Sequence, residues 1–241
     1  MKKASIFEPE QLERWVTESP ESDVKKLAVI LAYNAALRPG ELYELRTTDC
    51  KLESNGNFVF VLRQRKTQRN GVQQAFNVPA SITGWTSPGH FFRSVMDARQ
   101  RHTHITGDYL FMQMRNGEMT NQRIGEKALS SLSRDIAKFL GLNEGNYQAY
   151  SFRRSAATTL ANQGASVHQL RQFTGYHSLG VATEYIDSSK SQQQAMSSML
   201  AVTTSKVSND DTVQQNTSTS NPIHHNKGLY ISPGAFQNVA K

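Results

Sequence analysis

The sequence predicts a mainly α-helical domain with a small antiparallel β-sheet, the α+β class, on three observations. Apolar residues recur at helical spacing up to about residue 38 and again over residues 88–200. Between these stretches, residues 50–79 change texture to the short apolar runs FVFVL and QAFNVP, which read as strands. After about Thr203 the chain becomes TTSKVSNDDTVQQNTSTSNPIHHNKG, too polar to bury the surface needed to fold alone. The chain has 241 residues and is 37% hydrophobic, enough for one sizeable core. The expected organisation is one folded domain over residues 5–202 and a polar flexible tail over 203–241.

In FEPEQLERWVTES, Pro9 stands at a helix start and Leu12, Trp15 and Val16 follow at helical spacing, predicting a first helix. Ser19-Pro20 opens a second, with Val24, Leu27, Ala28, Leu31 and Ala35 on one stripe. That helix ends near ALRPGE, because Pro39 disfavours helical geometry at Arg38, which is therefore expected at a bend. An Asn-Gly-Asn turn precedes FVFVL, and RQRKTQRNG reads as a basic hairpin tip between the strands. Downstream, FFRSVMDARQR, NQRIGEKALSSLSRDIAKFLG, SAATTLANQG and VHQLRQFTG are read as helices.

Composition narrows the partners. A net charge of +7 and a pI near 9.5 favour a polyanion, because excess lysine and arginine concentrate phosphates at the surface. No apolar run approaches the roughly 20 residues of a membrane span, so no membrane role is expected. The segment MKKASIFEPEQLERW lacks the apolar centre of a signal peptide. A single cysteine, Cys50, allows neither an internal disulfide nor a cysteine-cluster zinc site, and is expected at a strand edge.

Arg38, Lys66, Arg153 and Tyr185, with Tyr150, Tyr176 and His177, form a set suited to phosphate chemistry. Metal-free cleavage of a DNA phosphodiester needs a nucleophile, cationic donors on the non-bridging oxygens and an acid for the leaving oxygen. A tyrosine nucleophile keeps the bond energy in a phosphotyrosine. Two guanidinium forks suit the phosphate and offset the charge that builds in the transition state. A lysine on a hairpin can serve as the acid.

The ordered set resembles the catalytic domain of tyrosine recombinases of the integrase type, over roughly residues 5–200. AALRPGELYELRTTDC is similar to the first arginine box, with Arg38 at the catalytic arginine and Glu41-Leu42 at the acidic-apolar pair. QRKTQRNG matches the hairpin lysine at Lys66. YSFRRSAATTLANQG resembles the second box, usually His-x-x-Arg, which puts Arg153 at the second arginine and Tyr150 where histidine is usual. In GYHS the usual histidine is either replaced by Tyr176 or displaced to His177; the distance to Tyr185, at the nucleophile position, favours Tyr176. Within the family, the endings around FRRSAATTLANQGAS and GYHSLGVATEYIDSS look most like Crypton-type recombinases of eukaryotic mobile elements.

The resemblance implies a mainly α fold with a three-stranded antiparallel sheet. It implies cleavage and rejoining of double-stranded DNA through a 3′-phosphotyrosyl intermediate, without metal or other cofactor, in a homo-tetramer on DNA. Arg63, Arg65, Arg69 and Arg154 are expected DNA contacts, Arg154 pairing with a carboxylate or a backbone phosphate. The Crypton likeness implies a nuclear location, a bacterial or phage source a cytoplasmic one. GLYISPGAFQNVAK is a candidate for docking on a neighbouring subunit. The family's usual N-terminal DNA-clamping domain is expected to be absent, the first box beginning almost at once.

Simpler readings stand beside these. Arg38 alone is a capping residue, the charges around Lys66 a solvated turn, Tyr150 and Tyr176 core aromatics, and His102 and His104 loop residues. A domesticated, non-cutting DNA-binding protein and a type IB topoisomerase are the alternative functions.

Overall fold

The computed structural model describes residues 4–63, 74–81, 87–102 and 104–205, with side chains in the last helix up to Leu200. The expectations for Arg65, Lys66 and Arg69 and for the segment after residue 205 lie outside the described residues. The chain divides into Met1–Leu200 and Ala201–Lys241, and the packing below belongs to the first unit.

Helix α1 (Pro9–Glu18) starts with its proline at the first turn, where a missing N–H costs nothing, and buries Leu12, Trp15 and Val16. Helix α2 (Asp23–Asn34) is apolar nearly all round and runs through the centre, with Leu27 to Ala32 at most 1% exposed. Each large apolar side chain buried there contributes roughly 1.5–3 kcal/mol. The chain leaves α2 through a left-handed Ala36 (φ 49). The Leu37 N–H donates to the Ala32 carbonyl and the Ala36 N–H to that of Tyr33, a two-bond C-terminal cap that usually holds glycine. Arg38 is extended (ψ 154), as its following proline requires, and it caps a short helix α3 (Pro39–Glu44).

Strands β1 (Cys50–Leu52), β2 (Phe58–Leu62) and β3 (Gln74–Val78) form the antiparallel sheet in the order β1-β2-β3. Phe58, Phe60 and Leu62 alternate inward along β2. Cys50 begins the outer strand β1, as its strand-edge reading has it.

Helix α4 (Pro88–Arg101) packs on α2, and a second sheet follows, the hairpin of β4 (Met112–Arg115) and β5 (Glu118–Arg123). Here the all-helical expectation for residues 88–200 is wrong. Asn116 and Gly117 both have positive φ (52 and 81), the geometry of a tight hairpin turn that Asn-Gly specifies best. Residues 121–123, read as helix, belong to β5, and α5 spans Glu126–Phe139.

Four more α-helices follow among the described residues: α6 (Ser151–Asn162), α7 (Val167–Thr174), α8 (Leu179–Asp187) and α9 (Lys190–Ser205). Ser166 and Gln169 cap the start of α7 reciprocally. Ala157 and Ala161 of α6, Leu170 of α7 and Ala182 of α8 form a small satellite core, with Tyr176 and Tyr185 packed against it. Alanines let the three helices approach closely, and this fixes where the two tyrosines sit.

Candidate active site

Arg153 lies on the inner face of α6 and is only 2% exposed. Its Nη1 donates to the Ala36 carbonyl at 2.8 Å, and its Nη2 donates to the Thr174 carbonyl. One acceptor belongs to the left-handed cap that ends α2. The other is the last residue of α7, after which Gly175 turns left-handed (φ 65) and releases the chain into Tyr176. One guanidinium thus joins the ends of two helices, and its Nε is buried without a hydrogen-bond partner among the described residues. Burial pulls the Arg153 pKa below its usual value, and the neighbouring Arg38 adds to this by repulsion. A buried cation held by carbonyls beside a second cation is an arrangement that an anion stabilises.

Tyr176 stands over this group, its ring centre 4.9 Å from the Arg153 guanidinium carbon. The ring stacks on that of Tyr185 with centroids 5.8 Å apart and planes within 10°. The Tyr176 hydroxyl donates to the Tyr185 hydroxyl at 3.2 Å. Burial, followed by this hydrogen bond, pushes the Tyr176 phenol well above its ordinary pKa, so it stays protonated near neutral pH. Its core-aromatic reading is half right: the ring packs on the satellite core, while the hydroxyl faces Tyr185.

Arg38 is locked from the other side. Both its backbone N–H and its Nη1 donate to the Glu41 carboxylate, each at 2.8 Å, and the two side chains are 19% and 7% exposed. The capping reading of Arg38 therefore holds. Arg38 opens onto a cavity of about 720 Å³, also lined by Glu44, Arg46, Asp49, Arg63, Glu126 and Tyr150. Tyr150 is 54% exposed there, so its core-aromatic reading is wrong. Arg63 reaches back to Asp49 at 2.5 Å and Thr48 at 3.1 Å. His177 is exposed in the turn after Tyr176.

The structure thus brings Arg38, Arg153, Tyr176 and Tyr185 into one neighbourhood and puts Tyr150 and Arg63 with Arg38 on the adjoining cavity. Arg154 lies elsewhere: it donates to the Ala4 carbonyl, holding the N-terminal segment. His102 and His104 meet edge to face at 5.6 Å, and among the described residues no cluster suited to a metal ion occurs.

Sequence reasoning missed the two carbonyls that hold Arg153, because backbone acceptors carry no residue signature. It also missed a stack in which the Arg123 guanidinium lies 3.6 Å from the Tyr43 ring centre and 3.3 Å from that of Tyr109, with Arg46 5.0 Å from Tyr109 and paired to Asp108. This stack braces the end of α3 against β5.

The model of the phage integrase family matches residues 6–192, most of the chain. The chain belongs to the phage integrase family. Solved structures share its fold. The XerH site-specific recombinase, in its post-cleavage complex with palindromic difH, superposes with a TM-score of 0.62 at 17% identity, covering 83% of this chain and 54% of that one. The XerA recombinase gives 0.61 at 18%, covering 82% and 66%. The Tn1549 transposon integrase, bound to transposon right-end DNA, gives 0.58 at 15%, covering 83% and 67%. At these identities the likeness is one of fold, and the chain spans 54% and 66% of the XerH and XerA chains. No curated protein matches the sequence significantly.

Proposed function

We propose that this phage integrase family member is a site-specific recombinase that cleaves and rejoins double-stranded DNA through a 3′-phosphotyrosyl link to Tyr185. The observation that carries the reading is the buried, carbonyl-held Arg153, repelled by Arg38 and next to the Tyr176–Tyr185 pair. A phosphodiester seated there receives guanidinium donors from Arg38 and Arg153 on its non-bridging oxygens. The Tyr185 oxygen attacks phosphorus and gives up its proton to water. The bond to the 5′ oxygen breaks, and that oxygen takes a proton from Lys66. Religation reverses these steps with a new 5′-hydroxyl, and assembly as a tetramer on DNA aligns two duplexes for exchange. Tyr150, on the cavity lip beside Arg38, supplies a further phenolic donor to the backbone.

The test is trapping on a DNA substrate nicked beside the cleavage site, so that the leaving fragment diffuses away. Wild type is expected to give a covalent adduct on a denaturing gel that Tyr185→Phe lacks. Clear DNA binding without an adduct, across many candidate sites, would leave a non-cutting DNA-binding protein as the function.

A further inference from the structure

The Tyr176 hydroxyl lies within hydrogen-bond reach of both the Arg153 guanidinium and the Tyr185 hydroxyl. It donates to the Tyr185 oxygen at 3.2 Å, and the two rings are stacked nearly parallel. We infer that Tyr176 is a positioning residue for the nucleophile: its phenol holds the Tyr185 oxygen in place and stabilises that oxygen as it loses its proton. The inference rests on the reading of Tyr185 as nucleophile and deepens it.

The direction of the hydrogen bond follows from the chemistry of the pair. Either phenol can donate while both are protonated, but once Tyr185 ionises only Tyr176 can, and a hydrogen bond to a charged oxygen is the stronger kind. Tyr176 is suited to remain the donor. Its ring packs against the alanine-rich satellite core, which disfavours a phenolate there, and burial and Tyr185 hold its hydroxyl protonated against the smaller opposing effect of Arg153. The Arg153 guanidinium on the face of Tyr176 fixes that ring from behind. A chain therefore runs from the Ala36 and Thr174 carbonyls through Arg153 and Tyr176 to the Tyr185 oxygen, and the group that binds the phosphate also orients the group that attacks it.

The surrounding charges leave this hydrogen bond in control. On α6 the buried cation is Arg153, while Arg154 is committed to Ala4. His168 and Arg171 of α7, His177 of the turn, and Glu184 and Asp187 of α8 are all exposed, where solvent screens them. Leu160, Leu170 and Ile186 pack with the pair in the satellite core and carry no charge.

The experiment uses the full chain labelled with carbon-13 at the tyrosine phenolic carbon, the Tyr185 signal being assigned by its loss in Tyr185→Phe. In Tyr176→Phe, which keeps the ring and its stacking, the Tyr185 phenolic signal near pH 7 is expected to move from its wild-type position, because its oxygen loses a hydrogen bond. The rate of adduct formation on the nicked substrate should fall about 10- to 100-fold at pH 7, the equivalent of one hydrogen bond to a charged oxygen. Tyr176→His, which restores an N–H donor, should recover part of both. An unmoved signal, or an unchanged rate, would overturn the inference. If wild type forms no adduct, the recombinase reading fails, while the carbon-13 signal still decides the hydrogen bond.

Discussion

Replacing Arg153 with methionine removes the guanidinium and keeps an apolar stem, so it isolates what the charge holds together. Two buried carbonyls, those of Ala36 and Thr174, lose their donor, and an unsatisfied buried polar group costs about 1–3 kcal/mol. Against this, the variant no longer buries a cation next to Arg38, the two effects that lower the Arg153 pKa. Two carbonyls at that cost, partly offset by this relief, leave a net loss of roughly 2–3 kcal/mol. For a domain of this size that is a fall in Tm of about 5–10 °C. Urea unfolding of wild type and variant without DNA measures it directly, with an unchanged denaturant slope required for the comparison. A loss below about 0.5 kcal/mol would show that the carbonyls find other partners and that Arg153 does not join α2 to α7.

Inorganic phosphate at about ten times its dissociation constant should stabilise wild type by about 1.4 kcal/mol and Arg153→Met far less, as thermal melts would show. Arg123→Met removes a guanidinium lying against both Tyr43 and Tyr109 and should cost about 1–2 kcal/mol in chemical denaturation. Tyr33, Tyr147 and Tyr176 all have phenol pKa values raised, first of all by burial. Above the ordinary phenol value of about 10 the unfolded chain gives up protons that the folded chain keeps, so stability should fall as pH rises past 10 and be untouched by these groups below it. Tyr33→Phe should therefore cost about 1 kcal/mol at pH 7, for its lost bond to Thr159, yet decline less steeply than wild type between pH 10 and 11 in urea titrations. Gly141→Ala, at φ 70 with open space around the added methyl, should cost about 1 kcal/mol through backbone strain alone.

Legibility in the sequence followed the range of the interaction. The proline at the start of α1, the bend at Arg38 and the alternating β2 are local, and each was readable from a few adjacent residues. The β4–β5 hairpin was also local: Asn116-Gly117 announced it, but four-residue β4 is too short for its alternation to stand out from the helical texture around it. Arg38, Arg153 and Tyr185 were identifiable because their motifs keep order along the chain. What they touch was not, since Arg153 is seated by carbonyls 117 and 21 residues away. The hydrogen bond from Tyr176 to Tyr185 was hidden for a related reason. Spacing placed Tyr176 near Tyr185, while the direction of its hydroxyl depends on how α6, α7 and α8 pack on their alanines.

The central claim is that Tyr185 becomes covalently joined to a 3′ phosphate. Digesting the trapped adduct with protease and nuclease and sequencing the modified peptide by mass spectrometry tests it directly, because the eight tyrosines of the chain include Tyr150 and Tyr176 close to the same site. The expected product is a nucleotide remnant linked through its 3′ phosphate to Tyr185 alone. A remnant on Tyr176 or Tyr150, or a link through a 5′ phosphate, would contradict it.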